Sequence, residues 1–411
     1  MTRIAYLVSD YFAPSHTFVR REVAALRKIG MQVSPFSIQK SDAKTDEAQS
    51  IFGRSLVEYP KALLLALIAH PRRFMRSWWL AIRHRPPGVR ALVWSQFHFV
   101  EAMVLARLLT DAKCDRVHNH FANSAATVGM IAAGHLGIPW SFTLHGISET
   151  DYPAGMLLRD KLERADFVAC ASYFMQAQAM RAVNFEHWSK MHIVRCGVDL
   201  STITSFGTAS EPSQEGENVK IICVGRLSAE KGYFGLLEVL ARLAVEGISF
   251  AVTIVGDGPS AVAIQSKVTE LNLDKNIRFT GALSEADTLA EINRSEILVL
   301  PSLMEGLPVV LIEALAMQKA VVASQVAGIP ELISEGITGL LFAPSKWIDL
   351  ERQLRNALSN PPLRLSMGRE GARRVADEFG SDKAARILSD LFADLSRFEA
   401  NGSRVRRQEP D

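Results

Sequence analysis

Excess charge of one sign is missing from this chain of 411 residues: 46 Lys and Arg face 44 Asp and Glu, a formal net of +2. No global field therefore argues for nucleic acid as a partner. Cysteine is scarce as well. Cys114, Cys170, Cys196 and Cys223 form no C-x-x-C pair, and each lies in or near an apolar stretch, so buried free thiols are expected. No apolar run approaches the roughly 20 residues that a membrane helix needs. The longest candidate, Ala62 to Ala69, is cut off by His70-Pro71. Met1 to Ser9 has neither the long apolar region nor the small-residue cleavage site of a signal peptide, and alternates into a first strand, so a cytoplasmic protein is expected. There is no internal repeat.

What is present is a strand, loop and helix carrying two carboxylates. The apolar run Ile297 to Pro301 leads into Glu305-Gly306-Leu307-Pro308-Val309 and on to Glu313. Pro308 suits the first helical position, and good helix formers follow from Leu311 to Met317. The helix N-terminus then faces the carboxyl edge of the strand, where α/β sheets bind ligands and amide N–H groups favour an anion. Side chains of a helix tilt toward its N-terminus, so Glu313 can lean back to frame the same pocket as Glu305. Carboxylates repel phosphate, so the two acids are better suited to accept hydrogen bonds from sugar and ribose hydroxyls. The plainer alternative is two solvated acids.

A second apolar run, Val219 to Val224, ends in Gly225-Arg226 and Lys231-Gly232 before a helical pattern from Tyr233 to Val245. That places a guanidinium fork and an ammonium point charge on a loop at a strand end, a pair suited to a diphosphate. Two exposed cations on a turn are the competing reading.

Length fits two domains better than one core. Strands are expected near Arg116, Trp140 to Leu144, Phe167 to Ala171 and His192 to Arg195 in the first half, and near 220, 252, 278, 298, 321 and 340 in the second, each of the latter trailed by a helix. Right-handed crossovers build parallel sheets from such alternation. The boundaries read as 1–200 for the N-terminal domain with a helical insertion at about 54–110, a Ser-, Thr-, Gly- and Pro-bearing linker at 201–218, a second domain at 219–380, a helix at 381–400 and a tail at 401–411. Residues 42–53 are polar and read as loop.

Glu305 with Glu313 as E-x7-E, Gly225 to Gly232 as G-R-x4-K-G, and Val255-Gly256-Asp257-Gly258-Pro259 together resemble the donor domain of retaining glycosyltransferases of family 4, in their exopolysaccharide-biosynthesis type. The resemblance spans about residues 215 to 375 strongly and the N-terminal half more loosely. It implies the GT-B fold: α/β, with two facing Rossmann-like domains of parallel sheets, an interdomain cleft, and a C-terminal helix that crosses back to the first domain. It also implies a metal-independent hexosyltransferase with no cofactor, using a nucleotide-sugar donor linked to UDP or GDP and a saccharide or lipid-linked saccharide acceptor. Carried onto this sequence, Glu305, His145, Lys231 and Arg226 are the catalytic set. Gly225, Gly258, Leu283, Gly306, Leu307, Pro308, Val309 and Glu313 join Arg226, Lys231 and Glu305 in binding the donor. Glu305 orients sugar hydroxyls and Glu313 the ribose.

In the first half, Thr143-Leu144-His145-Gly146 closes a strand and sets His145 at the sheet rim. His118 and His120 alternate on a strand, so both imidazoles point one way. They lack an evident third ligand for zinc and are read as shaping the acceptor side. Where many family members carry a Gly-Gly loop after the first strand, this chain has Pro14-Ser15-His16-Thr17, which puts the close backbone approach to the donor in doubt. Ser15, His16 and Thr17 are candidates for contacting acceptor or phosphate, with a helix cap as the equal alternative. Finally, Arg54, Lys61, Arg72, Arg73, Arg76, Arg83, Arg85 and Arg90 face the single acid Glu58 and interleave with Phe74, Trp78 and Trp79. Such a block suits either an anionic membrane surface, giving a peripheral protein at the inner face of the cell membrane, or a solvated helical insertion. A sugar phosphorylase, a nucleotide-sugar epimerase and a non-enzymatic binding protein remain as alternatives on the same fold.

Overall fold

The computed structural model describes residues 2–13, 16–40, 47–206 and 218–400, without the side chains of 394–400. The chain divides into two compact units: Met1–Ala171 with Gln176–Val194 and Asp382–Asp411, and Ser172–Met175 with Arg195–Ser381.

In the first unit the strands are β1 (Arg3–Val8), β2 (Gln32–Ser37), β3 (Gln49–Ser50), β4 (Arg116–His120), β5 (Trp140–Leu144), β6 (Val168–Cys170) and β7 (Met191–Ile193). They make one sheet in the order β3-β2-β1-β4-β5-β6-β7, every neighbouring pair parallel. Crossover helices cover both faces, which is why Ile4, Leu7, Val117, Phe142 and Val168 have no exposure at all. The C-terminal helix Ser381–Ala400 belongs to this unit from Asp382 on. Its Phe392 is buried against His118 and Phe167, and the Arg116 guanidinium lies over its ring.

The second unit holds β8 (Val219–Val224), β9 (Phe250–Val255), β10 (Ile277–Gly281), β11 (Ile297–Leu300), β12 (Ala320–Ser324) and β13 (Leu340–Phe342), in the order β10-β9-β8-β11-β12-β13 and again parallel. Alternate residues feed two cores. Ile221, Cys223 and Val299 enter one with Leu236 and Leu240; Ile222, Leu298 and Val321 enter the other with Leu311 and Leu315. That two-sided burial is the reason each strand is a continuous apolar run.

In both sheets the order reverses once, between β1 and β4 and between β8 and β11. Chain on either side of such a reversal leaves in opposite directions, which opens a crevice at the carboxyl ends of the two central strands.

Several segments differ from the sequence reading. Within the stretch read as loop, Gln49–Ser50 pair with Phe36 and Ser37 as a short edge strand, and residues 41–46 lie outside the described residues. β2 went unread because Pro35 interrupts its pattern, although it pairs with β1 over its whole length. Within the stretch read as linker, Leu200–Ser205 is helical, capped by the Asp199 carboxylate on Ser201 N–H, with Ile203 buried; residues 207–217 lie outside the described residues, as does the tail 401–411. The insertion is three helices, Glu58–Ala69, Pro71–Arg83 and Val89–Asp111. The last of these is 23 residues long and apolar enough to cross a membrane, longer than any run judged apolar from the sequence, but just over half of its apolar window, 56%, is buried inside the protein.

Packing of the helix Tyr233–Val245 against Trp347 leaves no room at Gly235, where an added Cβ would fall 2.1 Å from the indole ring. Gly134, in the helix Ser124–Leu136, faces open space. Gly235→Ala should therefore lower stability by about 1–3 kcal/mol through overpacking, while Gly134→Ala should raise it by about 0.4–1 kcal/mol. Urea unfolding midpoints of the two variants decide this, and equal shifts would contradict the packing described.

Candidate functional site

The reversal point of the second sheet gathers the motif residues. β8 runs into Gly225, whose N–H donates to Val255 O at 3.0 Å and whose carbonyl accepts from the Tyr233 hydroxyl at 3.3 Å. The loop then makes a single 3-10 turn, Ala229–Lys231, and Gly232 turns it into the next helix at φ +69°. A Cβ at Gly232 would sit 2.1 Å from Pro301 O, so glycine is required for this loop to lie against the end of β11. Gly258 is constrained in the same way, since its Cβ would lie 2.5 Å from Leu227 O.

Two loops are thereby stitched together. Leu303 N–H donates to Glu230 O at 2.7 Å, and the Lys231 ammonium donates to Glu305 Oε1 at 2.5 Å. Ser302 Oγ donates to the same oxygen at 2.6 Å, and Ser302 is itself held by Ser324 Oγ on its carbonyl. Glu305 is 8% exposed at its side chain and Lys231 is 21% exposed, so this is a largely desolvated pair. Burial, with Cys223 and Glu305 nearby, pushes the Tyr233 phenol well up.

Pro308 is the N-cap rather than the first helical residue, with an extended ψ of 117°, and the helix runs Val309–Ala316. It has no side-chain cap and no acid in its first turn, so its positive end is uncompensated from within the helix. Gly306 O accepts from Gly328 N–H, Leu307 is buried in the core with Leu283 packed beside it, and Glu313 is buried. Arg226 is exposed on the β8 loop and makes no ion pair among the described residues. Ser302, Ser324 and Tyr233 went unnoticed in the sequence, since nothing in their spacing marks them before the sheet order is known.

The first unit has its own polar cluster at its reversal point. His120, at the end of β4, places Nδ1 2.9 Å from His145 Nε2 and Nε2 3.2 Å from Glu22 Oε1. Tyr6 donates its hydroxyl to that carboxylate at 2.8 Å. His118 is different: its nitrogens meet Ser141 Oγ at 2.8 Å and Thr143 Oγ1 at 2.9 Å, and its ring is walled in by Phe167 and Phe392. It is a satisfied core residue. Glu22, His118 and His120 stand close enough together to hold a metal ion, yet each already has protein hydrogen-bond partners. His145 stacks on His120 and lies tilted against the rings of Phe18 and Phe121, and Phe121 holds a left-handed φ of +67°. His16 Nδ1 reaches Asp10 O at 2.5 Å and N-caps its helix without a side-chain cap bond; Thr17 is the first helical residue. Ser15 lies outside the described residues.

The loop carrying His145 is fixed from below. Glu149 accepts N–H bonds from His145 at 2.6 Å, Gly146 at 2.8 Å and Ala122 at 2.6 Å, while Lys161 donates to Ala122 O and Asn123 O. Burial raises the Glu149 carboxyl to about 7 despite those donors.

An α/β unit whose parallel sheet reverses its order beside a cation–carboxylate pair and an open helix N-terminus is of the doubly wound kind, with its crevice at the carboxyl ends of the strands. Solved structures extend the likeness to the whole chain. A sucrose-phosphate synthase from Thermosynechococcus elongatus superposes at TM-score 0.76 and 19% identity over 97% of this chain and 100% of that one. Anabaena HepE in complex with UDP does so at 0.71 and 16% identity over 96% and 100%. The fold is GT-B. Residues 16–202 match the model of Glycosyltransferase Family 4, and residues 208–374 that of Glycosyl transferases group 1. The chain belongs to the family 4 glycosyltransferases. Among curated relatives, WcaL of Salmonella typhimurium, assigned to colanic acid biosynthesis, is 24% identical over 95% of this chain and 99% of its own. The amylovoran biosynthesis glycosyltransferase AmsK of Erwinia amylovora is 30% identical over 54% and 58%.

All ten histidines fall in the first unit, and in His16, His84, His98, His118, His135, His145 and His192 burial holds the imidazole below its ordinary range. Their contribution to stability is complete above about pH 6.5 and is lost as pH falls toward the folded values. Glu101 and Glu149, each raised to about 7 by burial, act in the opposite sense, but they are outnumbered. Hydrogen exchange corrected for intrinsic rates should show protection falling in the first unit between pH 7.5 and 5.5 while the second unit is unchanged. Equal loss in both units would rule this account out.

Proposed function

We propose that the protein transfers a hexosyl group, with retention and without a metal, from a UDP- or GDP-linked sugar to a saccharide or lipid-linked saccharide. The observation that carries this reading is the Lys231–Glu305 pair at the sheet reversal, beside the uncapped helix that starts at Val309. Breaking the bond from the anomeric carbon to the diphosphate leaves a cationic, oxocarbenium-like sugar and an added negative charge on the leaving group. Lys231, Arg226 and the amide groups at Gly306 to Val309 would hold that charge, the role a metal has elsewhere. Glu305 would accept from donor-sugar hydroxyls and Glu313 from the ribose, with Gly225, Gly258 and Leu283 shaping the surrounding walls. The neutral His145, oriented through His120 and Glu22, would meet the sugar.

The names of relatives support the class of substrate. HepE has been solved in complex with UDP and with UDP-glucose, and WcaL and AmsK are named for colanic acid and amylovoran biosynthesis. We place the reaction in surface-glycan assembly at the cytoplasmic face of the membrane.

Lys231→Met and Glu305→Gln should each lower transfer about 100- to 1,000-fold, the usual effect of removing a preorganised charge partner. The measurement is turnover with a panel of UDP and GDP sugars, run with and without EDTA, and with product anomers assigned by NMR. An unchanged rate in either variant, an EDTA-sensitive rate, or transfer that needs free phosphate in place of a saccharide would each overturn part of this reading. The double variant, which leaves no lone charge behind, controls for folding.

A further inference from the structure

The helices Glu58–Ala69, Pro71–Arg83 and Val89–Asp111 pack on one another with their small residues inward: Ala62, Ala66, Ser77, Ala81 and Ser95 are buried. Many of their large apolar residues face out. Leu64, Ile68, Met75, Trp79, Trp94 and Phe97 are all 50% exposed or more. The longest helix states the pattern most plainly: from Phe99 to Leu109 it is largely core, whereas its first half exposes Val89, Val93, Trp94 and Phe97. A chain in water has no reason to leave this many large side chains out, because burying each is worth about 1.5–3 kcal/mol.

Cations stand on the same helices. Lys61, Arg72, Arg76, Arg83 and Arg90 are exposed and in no ion pair among the described residues, and the single acid between residues 54 and 90, Glu58, is taken by Arg107 at 2.6 Å. This charge decides among occupants. A second copy of the chain would set arginines against arginines. An anionic lipid leaflet offers phosphates to the arginines, hydrocarbon to the leucines, and an interface where tryptophan is at home.

Between the three helices lies a cavity of about 450 Å³ lined by Leu63, Phe74, Met75, Trp78, Phe99 and Val100. Its one polar side chain, Gln96, already accepts the Trp78 indole N–H at 3.0 Å. A polar ligand would find no partner there, whereas a hydrocarbon chain gives up nothing.

We propose that the outer face of residues 56–97 docks the protein on an anionic membrane, lying in the interface rather than spanning it, and that the cavity takes one lipid hydrocarbon chain. This deepens the reading of a transferase working on a lipid-linked acceptor at the membrane, and its test is separable from that reading.

The full chain is floated with vesicles of phosphatidylcholine alone or with about a third phosphatidylglycerol, at low and high salt. Binding is expected with the anionic vesicles and is lost at high salt. Arg72→Gln, Arg76→Gln and Arg83→Gln combined should weaken it about 100-fold, at roughly 1 kcal/mol per cation. Trp79→Ser with Trp94→Ser and Phe97→Ser should abolish it. Phosphatidylglycerol brominated on its acyl chains should quench tryptophan fluorescence, and Val100→Phe, which fills the cavity, should lessen the quenching without ending flotation. No flotation at low salt, flotation unaltered in both combined variants, or a dimer in sedimentation that those variants dissolve would overturn the proposal. Transfer to a water-soluble acceptor should stay within about twofold in every variant; a wild-type protein that floats but transfers no sugar would defeat the enzymatic reading and leave the docking surface standing.

Discussion

An ammonium and a carboxylate drawn to 2.5 Å across the reversal of the second sheet constrain most of what surrounds them. Glu305 is almost fully desolvated, and a buried ion pair gains little net stability because taking two charges out of water costs nearly what their attraction returns. The protein nonetheless spends several further contacts on it. Ser302 bonds to the carboxylate, Ser324 bonds to Ser302, Leu303 is tied to Glu230, and Gly232 removes its own side chain so that the loop can touch Pro301. A pair that yields so little stability and is still so firmly held is better explained by where it puts charge than by what it adds to folding.

The second sheet is legible in the sequence because its physics is simple. Strands buried on both faces must be continuous apolar runs, and those near 220, 252, 278, 298, 321 and 340 coincide with β8 to β13. Where that condition fails, so does the reading: Pro35 breaks the pattern of β2, and β3 is a polar pair that exists only because Phe36 and Ser37 offer it partners. Helix ends depend on single dihedrals, which is why Pro308 proves to be a cap rather than a first residue.

Contacts across long separations are a different matter. Lys231 and Glu305 are 74 residues apart, and their meeting follows from β8 and β11 being neighbours, which no local pattern states. Strand alternation correctly sets His118 and His120 close together, with ring centroids 5.3 Å apart, but it cannot reveal that Phe392, far along the chain, closes over one of them. His118 thereby becomes core, while His120 links a carboxylate to His145. The same residue type in the same motif serves two ends because burial is a tertiary property.

The resting pair also accounts for carboxylates in the proposed diphosphate site. Glu305 would repel a phosphate if it stood alone, but with Lys231 bonded to it the couple is neutral at close range, and Arg226 and the helix end are left as the net attraction. In the proposed reaction the incoming diphosphate gives Lys231 a second anion to serve, which loosens its hold on Glu305 and frees that carboxylate for a sugar hydroxyl. Binding and alignment are then one event. Lys231 and the helix end are already in place, and Lys231 is largely desolvated, so less solvent has to reorganise when the bond breaks, which is the condition under which fixed charges lower a barrier most.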